Sequence, residues 1–270
     1  MTALLIDDAD GVRTLTLNRP HRKNAIDTEL WEALRTALDA AGRDRSVRAL
    51  VLTGAGGAFC SGADISKGLS GVHPVYRMRT LTDVTLLLHE LPVPTVAKVT
   101  GVAVGAGWNL ALGCDLVVAT PRARFSQVFT RRALSPDCGG SWLLPRLVGL
   151  QQAKRLALLA ETIDAEEARA LNLVTWVVDA GKVDAFTDDL TARLAAGAPV
   201  ALAQTKALLN EGADRTLREA LAGEARAQTA NFATADVREA YAAFAGEREA
   251  HFTGDWAVPG STAGRSEDET

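Results

Sequence analysis

Two glycine-rich stretches hold most of the chemical potential of this 270-residue chain. One runs Gly54-Ala55-Gly56-Gly57-Ala58-Phe59 into Cys60-Ser61-Gly62-Ala63-Asp64, and the other is Val104-Gly105-Ala106-Gly107. Backbone N–H groups in such loops can cradle a phosphate, so nucleotide binding is the first chemistry to test. The first stretch lacks the third glycine of a dinucleotide fingerprint, Leu110 stands where the second would need it, and no Gly-Lys-Ser/Thr follows either. A Gly-x-Ser-x-Gly nucleophile elbow is absent. Cys60, Cys114 and Cys138 are odd in number and far apart, which suggests neither a disulfide framework nor a metal-ligand pair. What remains is a pair of small-residue turns, for which glycine's freedom at positive φ is the simplest reading when each is taken alone.

The elements that must position these turns read as an alternation of strands and helices. Gly11 to Leu17 alternates apolar and polar residues, the period of a half-buried strand, and Asn18-Arg19-Pro20 ends it. Asp27 sits where an N-cap belongs, ahead of Leu30, Trp31, Leu34, Ala37 and Leu38 at helical spacing. Strands are predicted over Val47 to Thr53, Val96 to Val99 and Leu116 to Ala119, with helices over Leu81 to Leu91 and from Trp108 to Gly113. This alternation predicts an α/β core. Beyond about residue 150 the chain becomes alanine- and leucine-rich and mostly helical, and the apolar stripes of Leu217 to Phe232 and Asp236 to Glu249 call for a surface to cover, such as another subunit.

Bulk composition excludes several classes. A net charge of −4 with scattered arginines leaves no footprint for nucleic acid. No apolar run approaches the ~20 residues of a membrane helix, and the acidic N-terminus does not look like a signal peptide. A soluble, cytoplasmic protein is expected.

Taken together and in order, the motifs resemble the enoyl-CoA hydratase/isomerase (crotonase) family. They are Leu17-Asn18-Arg19-Pro20 with Lys23-Asn24-Ala25-Ile26, then Ala58-Phe59-Cys60-Ser61-Gly62-Ala63-Asp64-Ile65, Gly101 to Gly107 and Cys114-Asp115-Leu116. Phe125-Ser126, Pro136-Asp137-Cys138-Gly139-Gly140-Ser141 and Leu144-Pro145-Arg146-Leu147-Val148-Gly149 complete the set. The resemblance implies a crotonase-like spiral of ββα units over residues 1–198, a helical trimerisation region over 199–258 and a disordered tail over 259–270. It implies a homotrimer or hexamer acting on an acyl-CoA, with coenzyme A as part of the substrate and no other cofactor or metal. By position, the backbone N–H groups of Ala63 and Ala106 would be oxyanion donors, Ala106 at the positive end of the helix it precedes. Small residues there let a thioester carbonyl reach the main chain. Backbone near Lys23 to Ala25 and Ala63, Asp64 and Ile65 would hold the coenzyme, with Gly105, Asn109 and Phe129 also among the substrate-binding residues.

The sequence departs from a hydratase of that family at both water-activating glutamates, which fall on Asn109 and Phe129. Asp137 instead matches the aspartate of dienoyl-CoA isomerases, phenylacetyl-CoA epoxide isomerases and chlorobenzoyl-CoA dehalogenases, and its surroundings most resemble the epoxide isomerase branch. Facing an apolar wall that includes Phe129, it would have its charged form disfavoured and suit proton transfer. The bland alternative is that Asp137 caps the following helix. The dehalogenase route lacks its histidine, whose position falls on Thr82. Near the end, Glu247 stands where many members carry a lysine that reaches a coenzyme phosphate, and Arg248 would substitute. The implied function is isomerisation of an acyl-CoA through an enolate, with Asp137 as acid and base. A non-catalytic acyl-CoA binder and an atypical hydratase are the alternatives. Val75, Tyr76, Met78 and Leu81 are expected to line the acyl pocket.

Overall fold

The computed structural model describes residues 2–66 and 73–257, so the tail expected over 259–270 lies outside the described residues. The chain divides into two compact units, Met1–Ala195 and Ala196–Thr270.

The first unit opens on a hairpin that the sequence reading only half anticipated. β1 (Leu4–Ala9) pairs antiparallel with β2 (Val12–Leu17) across the Asp10-Gly11 turn. β1 buries only Leu4, so it carries no alternation to read. β2 does alternate, and its inward Arg13 is held by Asp8 and Asp44 at 2.7 and 3.0 Å. α1 (Thr28–Arg43) begins at the expected cap, where the Asp27 side chain accepts from the Leu30 N–H at 3.1 Å. It packs Leu30, Trp31, Leu34 and Leu38 into the core. β3 (Ala49–Gly54) then runs parallel to β2.

α2 (Pro74–His89) starts earlier than its apolar spacing predicted. Proline fits the first helical position because its missing N–H has no intrahelical role there. The first two turns are exposed and leave no periodic signal, and burial begins at Leu81, Val84 and Leu88. β4 (Thr95–Val99) pairs parallel with β3, and the chain passes at once into β5 (Val102–Val104), inside what had read as a loop. α3 (Ala106–Gly113) follows and is buried on every side. The step repeats: β6 (Leu116–Ala119) joins β4, β7 (Arg124–Ser126) joins β5, and a 3₁₀ turn over Val128–Arg132 leads to α4 (Gly140–Leu159). α4 is interrupted at Gly149, which takes φ +75°. β8 (Thr162–Asp164), α5 (Ala165–Ala170), β9 (Trp176–Val177) and α6 (Val183–Ala196) complete the winding.

The winding thus builds a six-stranded sheet, ordered β1-β2-β3-β4-β6-β9, and a smaller sheet, ordered β5-β7-β8, to which the step after β3 adds only the isolated bridge of Cys60 to Ala103. All pairs in the large sheet except β1–β2 are parallel. The main core holds Trp108, Phe59 and Phe125 among its largest fully buried side chains, and a smaller apolar cluster forms around Val96, Val118, Val183 and Leu190.

The second unit consists of α7 (Pro199–Gly212), α8 (Leu217–Phe232) and α9 (Asp236–Ala245). α8 opens on a complete capping box between Thr216 and Glu219. Leu217, Leu221, Phe232, Tyr241 and Phe244 are exposed. No helix among the described residues is long and apolar enough to cross a membrane.

Candidate active site

The two small-residue turns are brought side by side by backbone pairing. After β3 the chain makes an isolated parallel bridge, Cys60 to Ala103 of β5. Val104 N–H donates to the Cys60 carbonyl at 2.9 Å, and the Phe59 and Cys60 N–H groups donate to Val102 at 3.1 and 3.0 Å. Glycine is required at this seam. A Cβ on Gly62, which takes φ +93°, would lie 2.9 Å from the Val104 carbonyl oxygen and 3.8 Å from the Ala106 nitrogen. A Cβ on Gly107 would meet the Cys60 carbonyl oxygen at 2.5 Å.

The N–H groups of Ala63 and Ala106 meet no backbone acceptor among the described residues. A second bridge, Ile26 to Ala63, uses the Gly62 carbonyl and the Asp64 N–H, leaving the intervening Ala63 N–H outside the pairing. Ala106 is the first residue of α3, not the residue before it, and Gly105 at φ +56° is its N-cap. First-turn N–H groups have no intrahelical acceptor, and the helix dipole makes that end electropositive. Such a pair of main-chain donors suits an oxygen that gains negative charge.

Both turns line a cavity of about 370 Å³ in the first unit. Of the residues expected from sequence, it gathers Ala25, Ala63, Asp64, Ile65, Gly105, Ala106, Phe129 and Asp137. Lys23 is exposed and is not in the lining; its carbonyl accepts from the Ser61 N–H at 3.0 Å. Asn109 is likewise not in the lining, because its amide is turned to the backbone of Asp137 at 2.8 Å. Arg248 lies in the second unit, where it pairs with Glu239 at 2.6 Å. Leu81 is a core residue, and Val75, Tyr76 and Met78 are exposed and outside the cavity lining, so the apolar residues of α2 do not form the wall expected of them.

Two carboxyl groups line the cavity, and their surroundings push them in opposite directions. Asp64 accepts from the Ser66 N–H at 3.0 Å and from Arg19 at 2.9 Å. Those bonds, Ser66 foremost, hold its carboxyl well below the usual carboxylate range. Asp137 is half-buried, and its Oδ1 is buried with no hydrogen-bond partner among the described residues. Burial pushes its carboxyl up; the neighbouring Cys138 thiol and the charge of Arg77 oppose the rise. Asp137 does not cap α4. The cap is Gly139, without a side-chain bond, and Asp137 contributes only its carbonyl to the Gly140 N–H at 2.9 Å. The surroundings thus favour the charged form of Asp64 and disfavour that of Asp137.

The enoyl-CoA hydratase/isomerase family model matches residues 7–255. The chain belongs to the enoyl-CoA hydratase/isomerase family. A Rhodobacter capsulatus protein named "Probable enoyl-CoA hydratase" is 40% identical, covering 91% of this chain and 96% of its own length. The 1,2-epoxyphenylacetyl-CoA isomerase of Escherichia coli is 38% identical, covering 90% and 95%. Among solved structures, the enoyl-CoA hydratase/isomerase of Cupriavidus metallidurans superposes with a TM-score of 0.86 at 35% identity, covering 96% of this chain and 98% of that one. The two sheets wound by repeated ββα steps are the crotonase fold.

Beside its expected residues, the cavity of this enoyl-CoA hydratase/isomerase family member is lined by Arg22, Val128, Arg132 and Leu134. None was singled out from sequence. Arg132 and Leu134 flank the end of the 3₁₀ turn, where Ala133 takes a left-handed φ of +53°. Alanine there gives no composition signal of a bend, which is why the return of the chain toward the cavity was not legible.

Proposed function

We propose that this family member is an acyl-CoA isomerase. The thioester oxygen is held by the N–H groups of Ala63 and Ala106, and the Asp137 carboxylate removes a proton from the α- or γ-carbon. Electrons move onto the thioester oxygen, giving an enolate or dienolate and a neutral Asp137. The same acid returns the proton at another carbon, so the double bond moves and no water is consumed. An oxyanion donor of this kind contributes on the order of 3 kcal/mol to the transition state, and a placed general base on the order of 10²–10⁴ in rate.

The observation that carries this reading is the asymmetry of the two carboxyl groups. Asp64 is tied to Arg19 and Ser66, while Asp137 keeps a buried, unpartnered oxygen. Asn109 and Phe129, at the positions of the hydratase glutamates, offer no second acid to hold a water. The 38% identity to an epoxyphenylacetyl-CoA isomerase points the same way.

The test is deuterium uptake at the α-carbon of butyryl-CoA in heavy water. Wild type is expected to exchange, and Asp137→Asn to slow exchange on the order of 10²–10⁴-fold. Undiminished exchange in the variant removes Asp137 from the mechanism. The 40% identity to a protein named as a hydratase supports a second reading, water addition through Asp137 alone. Crotonyl-CoA in ¹⁸O-water separates the two, since labelled hydroxyacyl-CoA forms only by hydration.

A further inference from the structure

We propose that Asn109 and Gln127 are positioning residues that hold Asp137 in place against the oxyanion helix. This rests on reading Asp137 as the proton carrier.

Asn109 lies one turn beyond Ala106 on α3 and is 1% exposed. Its Nδ2 donates to the Asp137 carbonyl at 2.8 Å, and its Oδ1 accepts from Gln127 Nε2 at 2.7 Å. Gln127, also 1% exposed, immediately precedes the 3₁₀ turn that carries Phe129 to the cavity wall. One buried relay therefore joins the oxyanion helix, the apolar wall and the acid.

The polarity of this relay is fixed by chemistry. A backbone carbonyl can only accept, so the atom of Asn109 that faces it must be the donor Nδ2. Oδ1 then faces Gln127, which must present its own Nε2. The cost shows at the far end, where Gln127 Oε1 is buried without a hydrogen-bond partner among the described residues. Leaving a buried acceptor unpaired is destabilising, and an apolar residue at 127 would avoid it. A glutamine kept at that cost is explained by the bond it gives to Asn109.

The loop beyond Asp137 needs such a tie. Cys138 takes a left-handed φ of +45° and Gly139 one of +75°. A non-glycine residue in that region persists where its surroundings over-determine it. Space has been cleared for the tie as well, since a Cβ on Gly140 would stand 2.3 Å from Asn109 Nδ2. Asn109 thus serves Asp137 through its backbone and leaves the carboxyl uncovered.

The experiment compares Asp137→Asn, Asn109→Ala and Gln127→Leu with wild type in the full chain. It measures butyryl-CoA exchange in heavy water against pH, and butyryl-CoA affinity by calorimetry. A displacement of about 1 Å at a reacting group can cost on the order of 10²-fold. Asn109→Ala is expected to lose on that order, and Gln127→Leu to lose less, with butyryl-CoA affinity within about twofold of wild type. The pH midpoint of exchange should move down in both, as Asp137 loosens toward water and its carboxyl returns toward the ordinary range. If Asp137→Asn abolishes exchange while the other two keep the wild-type rate and midpoint, the positioning role is wrong and the proton-carrier reading stands. If Asp137→Asn leaves exchange intact, both fail. Loss of rate with equal loss of affinity and an unmoved midpoint marks general damage and overturns the proposal. Should Asn109→Ala not fold, Gln127→Leu, which keeps Asn109, decides.

Discussion

The burial that would suit Asp137 to the proposed proton transfer also sets its carboxyl against the stability of the fold. Burial raises its carboxyl above the ordinary range, so ionisation is disfavoured in the folded state relative to the unfolded one. The sign follows from that direction. Below the unfolded-state value both states hold the proton, and the acid costs nothing through ionisation. As pH rises through the folded value, the native protein must carry a poorly solvated anion and loses stability. Asp137→Asn is therefore expected to melt higher than wild type at pH 8, with the gap narrowing as pH falls toward 4, as read by calorimetric Tm. A variant no more stable at pH 8 would mean that the carboxylate is well solvated. From sequence, the position of Asp137 and its wall residue Phe129 were legible. The role of Asn109 was not, because its place on a helix does not tell which loop its amide meets. That meeting joins residues 28 apart in sequence, Asn109 and Asp137, and depends on Gly140 at the start of α4 leaving room for the amide.

Among the elements, the N-terminus of α3 is the part on which the proposed reaction leans most. The sequence placed its start at Trp108, and the structure starts it at Ala106. Two glycines around Ala106 masked the helix by composition, since glycine is a poor helix former; here Gly105 supplies a cap at positive φ and Gly107 the close contact with Cys60. The shift supplies a clean test. Proline is accepted at the first helical position, so Ala106→Pro deletes one N–H at the place where a helix tolerates its loss. Exchange is expected to fall on the order of 10²–10³-fold with far-UV circular dichroism unchanged. A variant that exchanges at the wild-type rate would show that this N–H does not hold the oxygen. β1, β5 and the first turns of α2 were missed for related reasons: their exposed or very short runs lack the period that marks an element.

For the whole molecule, the α/β alternation and the order of motifs were readable because each strand–turn–helix step repeats and each motif sits at a step. The cavity itself could not be read that way. It forms where non-adjacent segments meet: the turn after β3, the start of α3, the 3₁₀ turn and the loop before α4. Sequence spacing says nothing of how these approach until the sheets are paired. In the proposed reaction two main-chain amides and one acid converge on a single thioester. A crystal structure of the protein with a bound, unreactive butyryl thioether or dethia analogue of the thioester, keeping the carbonyl, tests it most directly. The carbonyl oxygen is expected about 2.7–3.1 Å from both the Ala63 and Ala106 nitrogens, with an Asp137 carboxyl oxygen about 3–3.5 Å from the α- or γ-carbon. A carbonyl bound elsewhere in the cavity, or an Asp137 carboxyl turned away from the acyl chain, would contradict it.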